Sequence, residues 1–207
     1  YRSVPAEGAP RGALVVVQEI FGINRHIRNV ADRFAALGYV ALAPALFDRL
    51  GPQIELTYTP EGVAKGRELK GKVPNDKALA DIAATVDHLK QQGLKTGLIG
   101  FCWGGALAWL SASNLPLDAV GSFYGGGIEN LVGENKPKVP LQLHYGLKDA
   151  HIGAEAREAA RGAAPQAEYF EYDADHGFCC DERGSYHQAS CEQAMKRVQD
   201  LLHREVG

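Results

Sequence analysis

Short apolar runs alternate with stretches of helical periodicity along nearly the whole chain, and that order constrains the fold more than any other feature. Ala13 to Gln18 is a β-branched apolar run, the mark of a strand buried on both faces. Ile27, Val30, Phe34 and Leu37 then recur at spacings of three, four and three, one face of a helix that Gly38 ends. Tyr39 to Ala43 is the next strand, stopped by Pro44. From Phe47 to Pro60, with Gly51, Pro52 and Pro60, the chain reads as a long loop, and long loops in compact folds are often functional. A polar helix follows from Pro60 to Lys70, and Leu79, Ile82, Val86 and Leu89 mark a firmer one ending near Gly93. Thr96 to Ile99 is a strand, Ala106 to Ala112 a helix, and Ala119 to Tyr124 and Leu141 to Tyr145 are strands. Glu155 to Gly162 reads as helical and Glu168 to Tyr172 as the last strand. Cys191, Ala194, Val198 and Leu201 share one face of the final helix. This order predicts an α/β fold, a mostly parallel sheet with helices on both faces, as one domain over residues 1–207.

Composition narrows the partners. At 207 residues and 45% hydrophobic content the chain can bury one substantial core. Its 22 basic and 25 acidic residues form no long run of one sign, so neither nucleic acid nor an anionic membrane surface is an expected partner. The longest apolar runs fall far short of the roughly 20 residues a membrane span needs, and the stretch before the first strand signal gives no expectation of a secretory leader. Tyr1 to Val4 reads as the tail of a strand that begins upstream. The four cysteines, Cys102, Cys179, Cys180 and Cys191, show neither a disulfide framework nor a CxxC metal spacing. The expectation is therefore reduced thiols in the cytoplasm, with no metal and no cofactor. The expected assembly is a monomer or small homo-oligomer.

The segment Leu98-Ile99-Gly100-Phe101-Cys102-Trp103-Gly104-Gly105 carries the chemistry. A strand enters G-x-C-x-G and leaves directly as a helix, the arrangement of a nucleophile elbow in which Gly100 and Gly104 leave room for strand and helix to approach. A helix N-terminus favours the thiolate, the reactive form of cysteine, and the Trp103 N–H points where an oxyanion would develop. A free cysteine is more often a small buried apolar residue, but the flanking glycines at this junction favour a nucleophile. Such a nucleophile needs an acid and then a histidine later in the chain. Asp149 follows the strand ending at Tyr145, at the sheet edge where open α/β sheets build their sites. His176 follows the strand ending at Tyr172 in a Gly-adjacent loop. Of the seven histidines it alone precedes the last helix in that setting, and His151 follows Asp149 too closely to serve opposite it.

These residues resemble the dienelactone hydrolase family. The matching motifs are Gln18 to Asn24 (QEIFGIN), the Gly100 to Gly105 elbow, Phe123-Tyr124-Gly125, Asp149, and His176-Gly177-Phe178, and the likeness runs from about Ala13 to the final helix. It implies the α/β-hydrolase fold, with the family's N-terminal strands missing here. It also implies that Glu19 contacts the resting Cys102 and helps activate it, and that the Ile20 and Trp103 N–H groups form the oxyanion hole. The implied substrate is a small lactone or ester, cleaved through a thioester on Cys102.

At substrate recognition the chain departs from that family. Arginines there bind the dienelactone carboxylate, one of them four residues after the catalytic histidine, where this chain has Cys180; Arg183 is near but not at the matching place. Arg67 is the available arginine in the 60–70 stretch, and Trp103, Tyr58, Tyr124 and Phe178 are candidates to line an apolar pocket. Three alternatives therefore stand beside the lactonase reading. One is a thiol-dependent carboxylesterase or thioesterase with another small acyl substrate, and another is a non-catalytic small-molecule binder on the same fold. The third is a redox-sensing Cys102 resolved by Cys179 or Cys180.

Overall fold

A computed structural model describes all 207 residues. Seven strands form one sheet: β1 (Arg2–Ser3), β2 (Gly12–Val17), β3 (Tyr39–Leu42), β4 (Thr96–Phe101), β5 (Ala119–Phe123), β6 (Leu141–Gly146) and β7 (Glu168–Tyr172). Their order is β1-β3-β2-β4-β5-β6-β7, with β1 antiparallel to β3 and all other neighbours parallel. The expected α/β fold is the observed one, and β1 falls within the Tyr1 to Val4 stretch that reads as strand. Every residue of β2, β4, β5 and β6 is buried, which is why these segments read as unbroken apolar or small-residue runs.

Six helices cover the sheet: α1 (Arg25–Ala36), α2 (Pro60–Lys72), α3 (Asn75–Lys90), α4 (Trp103–Asn114), α5 (Ala154–Ala163) and α6 (Gln188–Glu205). Asn24 caps α1 by accepting from the Ile27 N–H at 3.3 Å. Thr59 caps α2 in the same way through Gly62, and Pro60 occupies its first turn. Side chains three positions apart on a strand point to opposite faces. On β4, a Cβ at Gly97 would meet Leu202 of α6 and one at Gly100 would meet the Gly104 carbonyl of α4. The two helices therefore lie on opposite sides, and α4 is buried along nearly its whole length. One cluster of 54 buried residues runs through both layers.

Strand order reverses between β2 and β4. From β2 the chain builds outward through α1 to β3; from β4 it builds the other way to β7. The carboxyl ends of β2 and β4 thus face the crevice where ligands bind in open α/β sheets.

The cysteines differ from expectation. Cys179 and Cys191 are joined by a disulfide that ties the loop after β7 to α6, while Cys102 and Cys180 are free. The pairing is between segments separated by 12 positions, which spacing alone does not reveal. It lends no support to the expectation of four reduced thiols in a reducing compartment. No helix is long and apolar enough to cross a membrane.

Candidate active site

Cys102 occupies the single residue between β4 and α4, at φ 56° and ψ −116°. A non-glycine residue there is strained by about 1–3 kcal/mol, so its surroundings must hold it. Its N–H donates to the Phe123 carbonyl at 3.0 Å, and its carbonyl accepts from the Gly105 N–H at 2.9 Å and the Ala106 N–H at 3.2 Å. The glycines make this junction possible. A Cβ at Gly100 would lie 1.9 Å from the Gly104 carbonyl oxygen, and one at Gly104 would lie 2.5 Å from that of Val17.

Asp149 and His176 come from the ends of β6 and β7, as the chain order predicts. The buried Asp149 carboxylate accepts from His176 Nδ1 at 2.7 Å through one oxygen and from the His151 N–H at 2.8 Å through the other. The His176 loop is pinned by Ser185 Oγ, which donates to the His176 carbonyl at 2.7 Å. Burial acts to lower the His176 pKa, but its bond to Asp149 and its contact with the Cys102 sulfur outweigh that and push it up to about 10. Burial likewise works against the Asp149 carboxylate, and the bond from His176 prevails, holding it below its ordinary value. The arrangement favours an imidazolium beside a sulfur at a helix N-terminus, where negative charge is stabilised.

Cys102 and His176 open onto a cavity of about 580 Å³, which Ile20 and Trp103 also line. Trp103 is the first residue of α4, so its N–H belongs to the set that a helix start leaves without intrahelical partners. Its indole stacks on Phe47 with ring centroids 5.7 Å apart and donates to Asn75 Oδ1 at 3.1 Å. Arg67 and Lys70 of α2 and Arg183 of the loop after β7 contribute three cations to the same cavity, and exposed His151 stands edge-on to His176.

Other predicted residues stand elsewhere. Tyr124 and Phe178 are wholly buried, and the Tyr124 ring packs edge-on against both His176 and Phe178. They support the histidine from beneath and do not line the cavity; apolar rings beside a strand end fill the core first. Tyr58 is likewise outside it, because its hydroxyl donates to Glu19 at 2.8 Å. Glu19, only 1% exposed, is held through its other oxygen by Arg183 at 3.2 Å, so Tyr58 and Arg183, not Cys102, engage its two oxygens. Arg183 lies over the rings of Phe21 and Tyr58 at 5.8 and 5.6 Å. Thus Cys180 replaces the expected arginine in sequence while Arg183, three positions on, supplies a guanidinium in space. Lys70 and Asn75 were not singled out from the sequence and His151 was set aside there: Lys70 only lines the cavity, Asn75 enters through its bond to the Trp103 indole, and His151 through its N–H to Asp149.

A parallel sheet with a strained cysteine at its switch point, and an acid and histidine on the following strand ends, defines an α/β hydrolase. The dienelactone hydrolase family profile matches residues 2–206. A relative from Synechocystis sp. described as "putative carboxymethylenebutenolidase" is 36% identical over 100% of this chain and 91% of its own. A crystal structure described as a "putative dienelactone hydrolase" from Klebsiella pneumoniae superimposes with a TM-score of 0.85 at 32% identity, covering 97% of this chain and 90% of that one. A dienelactone hydrolase-like promiscuous phosphotriesterase, P91, from metagenomic libraries is 25% identical with a TM-score of 0.74, covering 97% and 89%. The chain belongs to the dienelactone hydrolase family and is a carboxylic ester hydrolase of that type.

Proposed function

We propose that this chain opens a small lactone or ester that carries a carboxylate, using Cys102 as nucleophile, His176 as acid and base, and Asp149 to orient the imidazole. The observation that carries this reading is the Asp149–His176–Cys102 sequence of contacts at a cavity ringed by Arg67, Lys70 and Arg183. The Cys102 thiolate attacks the carbonyl carbon, and the Ile20 and Trp103 N–H groups receive the developing oxyanion. Collapse of the tetrahedral adduct breaks the bond to the leaving oxygen, which takes the His176 proton, and leaves a thioester on Cys102. Neutral His176 then removes a proton from water, whose oxygen attacks the thioester; thiolate departs and the imidazolium is restored. Arg183 couples binding to Glu19, since a substrate carboxylate drawn to its guanidinium competes for the partner of that buried acid. The reaction needs no cofactor, and its partner is the small-molecule substrate alone.

A neutral ester or thioester is the second reading, and the three cations at one cavity argue against it. Initial rates with dienelactone and p-nitrophenyl acetate decide both questions. Cys102→Ala is expected to lose at least about a hundredfold on either compound; retained activity would overturn the mechanism. Arg67 is exposed, so Arg67→Met leaves the fold intact. It is expected to raise KM for dienelactone about tenfold, the loss of one exposed charge-assisted bond, while sparing p-nitrophenyl acetate. An equal effect on both substrates would sink the carboxylate reading.

A further inference from the structure

Behind Arg183 of the cavity lies a second cluster, of which the proposed hydrolysis draws only on Glu19. Glu19 follows β2, His26 sits in the first turn of α1, and Cys180 lies in the loop after β7. All three are buried, and a carboxylate oxygen, a ring nitrogen and the thiol sulfur lie within 4.8 Å of one another. Ligands bound at about 2.0–2.3 Å to a tetrahedral ion stand roughly 3.5 Å apart, so a small contraction brings these three onto one ion.

Two further features point to a cation. His26 Nδ1 faces Asp181 Oδ1 at 3.6 Å, which turns Nε2 inward; a carboxylate behind the outer nitrogen is how ligating imidazoles are oriented. That inward His26 Nε2 is buried and without a hydrogen-bond partner. The other buried side-chain polar atom in this condition, the Tyr124 hydroxyl, lies in the field of Glu19 and Cys180. A thiolate, an imidazole and a carboxylate form a donor set suited to zinc and its neighbours, not to magnesium or calcium, which take oxygen ligands.

We propose that Glu19, His26 and Cys180 bind one divalent transition-metal ion of the zinc type. On binding, the ion forms bonds to Glu19 oxygen, His26 Nε2 and Cys180 sulfur, and any proton carried by the ligating nitrogen or sulfur leaves to solvent. Glu19 is also the partner of Arg183, so occupancy alters the acid beside the active site. Chain order hides the site, since its ligands come from three separate segments without metal spacing. The proposal holds whichever ester the cavity takes.

Cobalt is the probe, because a cysteine–cobalt bond absorbs in the near ultraviolet where surface histidine or carboxylate sites do not. Protein freed of metal by a chelator, with the Cys179–Cys191 bond kept intact, is titrated with Co²⁺ and then challenged with Zn²⁺. One Co²⁺ per chain is expected, with the thiolate band, displaced by Zn²⁺. Cys102→Ala should retain the band, Cys180→Ser should lose it, and Asp181→Asn should weaken binding about 10–100-fold. Asp181 is exposed, so that variant reports even if Cys180→Ser does not fold. No thiolate band in the wild-type protein overturns the site. So does a band lost with Cys102→Ala and unchanged in Asp181→Asn, which places the metal on the catalytic pair.

Discussion

Cys102, Gly100 and Asp149 each answer a constraint that is local to their positions. Gly100 gives the nearest test of the elbow: a methyl group there would sit against the Gly104 carbonyl on rigid backbone. Gly100→Ala is expected to lower the unfolding free energy by about 3 kcal/mol, the upper range of overpacking costs, as read by urea denaturation; a loss under about 0.5 kcal/mol would mean that strand and helix are not so close. At Asp149 the expected loss is catalytic. Asp149→Asn keeps the size of the side chain but offers His176 an amide in place of the carboxylate, so kcat should fall on the order of ten-thousandfold with KM little changed. An effect confined to KM would remove Asp149 from the orienting role. All three positions were legible in the sequence because their constraint is local: a strand, a turn of fixed spacing and a helix leave one place for each. Arg183 was not, since a guanidinium reaches its target through a flexible side chain and the count of residues from His176 says little about where its tip lies.

The second helix and the disulfide show how elements fix the geometry around the site. Gly66 of α2 faces the Ile20 carbonyl, where an added Cβ would stand 2.3 Å away, so this helix rests directly on the segment assigned to the oxyanion hole. Gly66→Ala is expected to push them apart and lower kcat/KM by about 10–100-fold, as misplacement by an ångström does. Gly71, on the same helix with open space around its Cβ position, is the control: Gly71→Ala should leave kinetics unchanged and add about 0.5–1 kcal/mol of stability. Kinetic equivalence of the two variants would show that α2 does not set the geometry. The Cys179–Cys191 bond fastens the His176 loop to α6 across a short loop. Closing a loop of this length contributes about 3 kcal/mol, so thermal or urea unfolding with and without reductant should differ by that amount. The helix α2 itself was expected from its polar stretch and its Pro60 start, but the disulfide was not, because chain spacing does not tell which sulfurs meet.

Across the whole molecule, buried histidines give stability a pH optimum. His144 is buried with Nε2 on Gln142 and Nδ1 on Tyr172, whose hydroxyl also accepts from Arg197 and so turns its own proton toward the ring. Burial, reinforced by the Arg197 charge, holds it neutral, with its pKa lowered to about 3. Its contribution is therefore complete above the ordinary histidine value of about 6.5 and is lost as pH falls toward 3, with a slope of up to roughly 1.4 kcal/mol per pH unit. His176 and His26 act oppositely. Burial works against their charged forms, but Asp149 and Cys102 for the first, and Asp181, Cys180 and Glu19 for the second, push both up to about 10. Their contributions are complete below about 6.5 and are lost as pH rises through 10. Chemical denaturation from pH 4 to 10 should show a maximum near 6.5, and a stability still climbing between pH 7 and 9 would refute the assignment. The amino-acid order by itself determined the alternating elements, the elbow and the chain order of Cys102, Asp149 and His176, because each depends on neighbours a few residues away. Only the tertiary structure decided that Arg183 reaches the cavity, that Tyr124 and Phe178 lie beneath it, that Cys179 meets Cys191, and that Glu19, His26 and Cys180 converge. Those are contacts between distant segments, set by how the sheet twists and the loops pack, which no local pattern encodes.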